Sequence, residues 1–290
     1  MTGSQSTGWP YSEEEERVTV HGDGLTAEFL PSRGAKIVSL RDDEGREWLA
    51  QPEKAVGRPA RPGDDFLSAE MAGWDECAPS IVACTVRGVD IADHGHFWTA
   101  AFSQTGRVSR AEDDVYGVAL ERIIEPASGG LRISYRATGM RSLPLPFLWA
   151  AHPQFLAPPG TRVVLPEQVT EVVDVLDPAL LRSGWTHELS AIDTVPRGGC
   201  RKVYVEPRTA VWSAILRRPD AQLELEWGDE CPYLGIWYEN GMYRDEAVIA
   251  IEPTTSYFDS LALADDLDRR PMLVPGASLE WSLTLRALPS

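Results

Sequence analysis

Apolar and polar residues alternate with a period of two through most of this 290-residue chain, beginning with the stretch RVTVHGDGLTAEFLPSRGAKIVSL from Arg17. That period places successive side chains on opposite faces of an extended strand, and the Gly-Asp-Gly inside the stretch supplies a turn, so it predicts paired antiparallel strands. Short apolar runs then recur between turn signals: GRVSRA, YGVALERIIE, GLRISYRATG, PLPFLWAAH, TRVVLP, RTAVWSAILRR, AQLELEW, YLGIWYEN, EAVIAIEP and SLEWSLTLRA. Most have the length of ordinary strands, about five to eight residues, while segments with a 3.6-residue period are scarce. One short helix is expected over residues 177–183, DPALLRS. The fold class implied is all-β, a large antiparallel β-sandwich.

Between residues 51 and 65, Pro52, Gly57, Pro59, Pro62 and Gly63 exclude a long helix or a central strand and leave an exposed loop. Loops of this kind often border binding sites. No linker or fixed-period repeat interrupts the rest, so residues 17–290 read as one β domain preceded by an acidic N-terminal tail, residues 1–16, which carries the run SEEEE.

Composition narrows the functions open to such a fold. With 43% hydrophobic and 24% charged residues the chain can bury a sizeable core, and its formal net charge of −17 repels phosphate backbones and anionic membranes. No window approaches the roughly 20 apolar residues that span a bilayer, and residues 1–16 lack the basic start and apolar run of a signal peptide. The expectation is a cytoplasmic monomer or homodimer that takes a small neutral ligand, with no nucleic-acid or membrane partner. The four cysteines, Cys77, Cys84, Cys200 and Cys231, are scattered without a paired CxxC knuckle and read as reduced, mostly buried thiols.

Histidine is the side chain best suited to exchange protons near neutrality, and there are five. His21, in the hairpin turn, and His187, after a Gly-Trp-Thr loop, read as surface residues. His152 ends the apolar segment PLPFLWAA and precedes Pro153, and Glu252 ends AVIAI and precedes Pro253. A histidine in that setting is either a hydrogen-bonded core residue or a site group, and the carboxylate either a structural salt bridge or a base. Two further segments carry polar groups beside aromatic rings: AGWDECAPSI, with Asp75 and Glu76, and DHGHFW, with His94 and His96. Carboxylates and imidazoles bond several hydroxyls at once and an aromatic face suits the C–H face of a sugar. His-x-His directs its side chains to opposite faces of a strand and no third ligand is apparent, so neither a metal nor another cofactor is expected.

In order, GWDEC, DHGHFW, AAHPQF, YLGIWYENG, IAIEPTTSYFDSL and LVPGASLEWSL resemble the galactose mutarotase-like, or aldose 1-epimerase, family, as does the opening LTAEFLPSRGAKIVSLRDDEGREWL. The resemblance implies a sugar held on one sheet, with His152 as acid and Glu252 as base. It also implies His94, or else His96, as a second site histidine. Asp75 and Arg33 are candidates for an aspartate and an arginine lining the site, with Glu76, Lys202 and Trp237 as further sugar contacts. The activity implied is interconversion of sugar anomers. The alternatives are another carbohydrate-active enzyme, such as a glycoside hydrolase drawing a second carboxyl from Asp75 or Glu76, and a sugar-binding protein without turnover. Arg58, Arg61 and Arg87 could recognise a phosphate, but the reading favours an unmodified sugar.

Overall fold

The alternating runs assemble into two large antiparallel sheets. In the computed structural model, which describes residues 10–177 and 179–289, one sheet has eleven strands and the other eight. The larger sheet is ordered Val18–His21, Leu25–Leu30, Lys36–Asp42, Trp74–Cys77, Ala150–Pro153, Val248–Thr254, Tyr233–Asn240, Gly199–Val205, Glu171–Asp174, Arg182–Gly184. Phe155–Leu156 pairs with Val248–Thr254 off that path. The smaller runs Arg162–Val164, Ser213–Arg217, Gln222–Trp227, Ser278–Leu288, Gly130–Gly139, Val118–Ala127, Val108–Asp113, Ser103–Thr105. Its central strand, Ser278–Leu288, is the chain's last and is paired on both sides.

Inner faces of the two sheets share one core, in which Ile37, Trp74, Ile236 and Ile251 of the larger meet Leu120, Ile133, Leu283 and Leu285 of the smaller. Burying an aliphatic side chain of this size contributes roughly 1.5–3 kcal/mol. One polar node crosses the core. Glu76 Oε1 accepts from Arg122 Nη1 at 2.8 Å and from Tyr135 Oη at 3.0 Å, while Glu76 Oε2 accepts from Trp149 Nε1 at 2.8 Å.

Two expectations differ from the structure. GWDEC, read as part of a loop, forms the strand Trp74–Cys77, buried on both faces and therefore without alternation. The helix expected at 177–183 is absent among the described residues there. Arg182 and Ser183 are instead drawn into the strand Arg182–Gly184, which pairs with Glu171–Asp174, so sheet pairing overrides the local helical pattern. Of the acidic tail, residues 1–9 lie outside the described residues; beyond them Tyr11 is buried, Glu15 is ion-paired with Arg33, and Glu13, Glu14 and Glu16 are exposed. All four cysteines are free, with Cys77 and Cys231 buried.

Candidate active site

Strand register brings the site together. His152 is paired with Asp75, and Glu252 with Gly235, which in turn faces Tyr204. Between these two halves Ala150 pairs with Thr254, and continuing that antiparallel register by two residues sets His152 opposite Glu252. Continuing the Ile37↔Trp74 pair by one likewise sets Lys36 beside Asp75. The row Lys36, Asp75, His152, Glu252, Gly235, Tyr204 therefore crosses neighbouring strands on the face of the larger sheet turned away from the core. Pro153 and Pro253 follow the two central residues of the row. Neither can donate to the ladder between their strands, which is there a single pair.

His152 Nδ1 lies 3.2 Å from Glu252 Oε1, and Lys202 Nζ lies 2.7 Å from Glu252 Oε2 and 2.9 Å from Asp259 Oδ1. Tyr204 Oη donates to the same Asp259 oxygen at 2.6 Å. Gly235 makes room for that tyrosine, since a Cβ there would meet the ring at 3.0 Å. Glu252 is wholly buried and His152 only 4% exposed. Burial alone would push the Glu252 carboxyl up, but the Lys202 ammonium and His152 outweigh it and hold the group down at about 2. Burial works against the Lys202 ammonium too, and there Asp259 and Glu252 prevail and keep it charged.

Around this pair stand aromatic rings. The His94 ring centroid is 5.2 Å from that of His152, and the Trp237 ring is 5.8 Å from His152 on another side. His94 sits in a left-handed turn at φ 59°, next to Gly95, where a Cβ would collide with the Ala78 carbonyl at 2.0 Å. Burial pushes the His94 imidazole below its ordinary range despite Asp93, whose Oδ2 is 2.8 Å from Nδ1. Its neutral form suits hydrogen bonding to a hydroxyl better than delivery of a proton. Phe66 covers His94 with ring centroids 3.6 Å apart and planes 5° from parallel.

Of the residues expected to contact a sugar, the structure gathers His94, Lys202 and Trp237 around His152 and Glu252, with Asp75 next in the row. Lys202 meets the pair as the ion partner of Glu252. Asp75 is fully buried with Lys36 Nζ 3.1 Å from Oδ2, its Oδ1 accepts no hydrogen bond, and burial raises its carboxyl to about 6 against the pull of Lys36.

Three expected contacts are corrected. Glu76 is one residue on from Asp75 and so faces the core, where Arg122, Tyr135 and Trp149 engage it. His96 turns its Nδ1 to Asp113 Oδ2, 2.7 Å away on the smaller sheet. Arg33 donates to Glu15 and to the carbonyls of Gly57 and Arg58, lining a cavity of about 340 Å³ whose walls include neither His152 nor Glu252. Conversely, sequence reasoning missed Asp259, Tyr204 and Phe66. For Phe66 a signal existed, a lone aromatic inside the Pro-, Gly- and Asp-rich stretch RPGDDFLS.

No protein-family model and no curated protein sequence matches this chain. Solved structures do. A galactose mutarotase-like protein from Lactobacillus casei superposes with a TM-score of 0.70 at 17% identity, covering 94% of this chain and 100% of that one. A putative aldose 1-epimerase from Escherichia coli K12 gives 0.67 at 14% identity over 94% and 99%, and a galactose mutarotase-like protein from Clostridium acetobutylicum gives 0.69 at 16% over 96% of each chain. The chain has the galactose mutarotase-like β-sandwich fold. Among the described residues no helix is long and apolar enough to cross a membrane.

Proposed function

We propose that this protein is an aldose 1-epimerase, interconverting the α and β anomers of a reducing sugar by proton transfer between substrate, Glu252 and His152. The observation that carries this reading is the buried 3.2 Å contact of His152 with Glu252 on the face of a mutarotase-like sheet turned away from the core. Glu252 takes the proton of the anomeric hydroxyl while His152, protonated, gives one to the ring oxygen. The C1–O5 bond opens, the aldehyde turns, and the ring closes on its other face with the two roles reversed. A carboxylate held as low as Glu252 is a weak base by itself, so its gain of a proton is coupled to the loss of one from His152. Each oxygen of Glu252 keeps a lone pair beyond those facing His152 and Lys202, which leaves room to accept the substrate hydroxyl.

The test is polarimetry of freshly dissolved, anomerically pure D-glucose, D-galactose and their 6-phosphates, with and without protein. Acceleration of at least one unmodified sugar is expected, at the same rate after prolonged EDTA treatment because the transfers use side chains alone. Failure to accelerate any reducing sugar would overturn the reading; activity abolished by EDTA and restored by Zn²⁺ would overturn the metal-free mechanism.

Lys202 sets the pH range of this chemistry. Glu252 is held below the ordinary range of an unfolded carboxyl, about 4.3, so the stabilisation it gains from Lys202 and His152 is fully present above that range and is lost as pH falls through about 2. Lys202→Met removes the ammonium and should move the acid limb of the rate profile upward by about one to three pH units, whereas Lys202→Arg should leave it nearly in place. Rates between pH 2 and 8, on variants with native circular dichroism at each pH, check this, and an unmoved limb in Lys202→Met would remove Lys202 from the account.

A further inference from the structure

Three rings shield the His152–Glu252 pair, and they differ in how firmly they are held. Trp237 belongs to the interior strand Tyr233–Asn240. His94 is fixed from several sides, by its N–H to the Ile81 carbonyl, by Asp93 and by the bridge between Ala78 and Gly95. Phe66 rides on the four-residue helix Phe66–Ala69, in which it is the one buried residue. Leu67 beside it is 49% exposed. Cavities of about 340 and 360 Å³ adjoin that helix, both reaching Ser68, Ala69 and Glu70, one extending to Asp65 and the other to Leu67. The helix thus has open space next to it; Phe66 is its one buried anchor, while the C-cap residue Glu70 is held by Tyr11, Arg33 and Lys36 and leaves the Phe66 end to swing about that point.

That ring lies where substrate must go. With centroids 3.6 Å apart and planes 5° from parallel, nothing fits between Phe66 and His94, and Phe66 also comes within 5.9 Å of His152 and meets Trp98 edge-on at 5.1 Å. Phe66 itself is 2% exposed and the His94 side chain 15%, so the stacked faces are closed to solvent while an edge of the imidazole is not. We propose that Phe66 is the gate of this site: a sugar reaches His152 and Glu252 only when the Phe66–Ala69 helix swings outward and the ring leaves the face of His94. The apolar imidazole and Trp98 faces so uncovered become available to the C–H face of the sugar. A closed resting state keeps water from the Glu252 carboxylate, and opening is coupled to substrate entry. The inference rests on His152 and Glu252 being the reacting groups.

Histidine acylation by diethyl pyrocarbonate, mapped residue by residue with mass spectrometry on the full chain, tests the gate without any sugar. His21 and His187 are exposed and serve as internal references. In the wild-type protein His94 and His152 should lag behind both. In Phe66→Ala they should react at least about tenfold faster, with the references unchanged, as expected when a local opening no longer limits access. Phe66→Leu, which keeps apolar bulk but cannot stack flat on the imidazole, should fall between, and it decides the matter if near-ultraviolet circular dichroism shows that Phe66→Ala has lost its fold. Wild-type His152 reacting as fast as His21, or wild-type rates retained in the folded variants, would overturn the gate. Because labelling does not depend on turnover, an inactive wild-type protein would defeat the epimerase reading and leave this result intact, and the converse holds equally.

Discussion

Replacing Glu252 by glutamine is expected to lower anomer interconversion by roughly 10²–10⁴-fold, the usual worth of a positioned general base. Glutamine keeps the length and a hydrogen-bonding carbonyl but loses the charge that Lys202 and His152 face at 2.7 and 3.2 Å. Sugar affinity should change far less, since one hydrogen bond to a bound hydroxyl is worth about 0.5–1.5 kcal/mol. Calorimetric binding and interconversion must be measured on the same folded variant, so that instability is not mistaken for chemistry. Interconversion at the wild-type rate in Glu252→Gln would remove this residue from the mechanism. A parallel loss of binding and rate would make it a binding residue instead.

The largest effect on stability is expected one residue from the site, at Glu76. Glu76→Ala leaves the Arg122 guanidinium, 1% exposed, without its carboxylate, and strips Tyr135 and Trp149 of their acceptor. Removing one partner of a buried ion pair costs about 3–5 kcal/mol, mostly because the remaining charge stays buried and uncompensated. Urea denaturation measures the change directly. A difference within about 0.5 kcal/mol of wild type, the size of an ordinary surface substitution, would show that the node contributes nothing net to holding the sheets together. The same placement means that Glu76 cannot serve as the second carboxyl of a glycoside hydrolase.

Asp75 and Glu76 show where sequence reading reached and where it stopped. A run with one buried and one wetter face was legible end to end, GLRISYRATG coinciding with the strand Gly130–Gly139, and YLGIWYEN, between clear turn signals, coincides with Tyr233–Asn240. Trp74–Cys77 is covered on both faces, so period two vanished, and without a strand there was no way to tell that Asp75 and Glu76 point apart. Gly199–Val205 escaped notice for a related reason. Its core-facing positions are Arg201, Val203 and Val205, so one place that alternation needs to be apolar is a charge, while Lys202 on the other face is buried against Glu252. His152 and Glu252 stood out because each closes an apolar run just before a proline. Asp259 lies on a loop and Phe66 on a single helical turn between loops, and what such a residue touches is set by the path of the chain after the sheets have formed, which no local period records.

Magnetisation exchange between the anomeric protons of a reducing sugar at equilibrium bears most directly on the central claim, because it registers conversion of one anomer into the other without net reaction or a coupled assay. With D-galactose or D-glucose and the wild-type protein, exchange cross-peaks between the α and β H1 resonances should grow in proportion to protein concentration and vanish in Glu252→Gln. Resonances that broaden through binding, with no exchange between anomers at any protein concentration, would contradict the account and make this a sugar-binding protein.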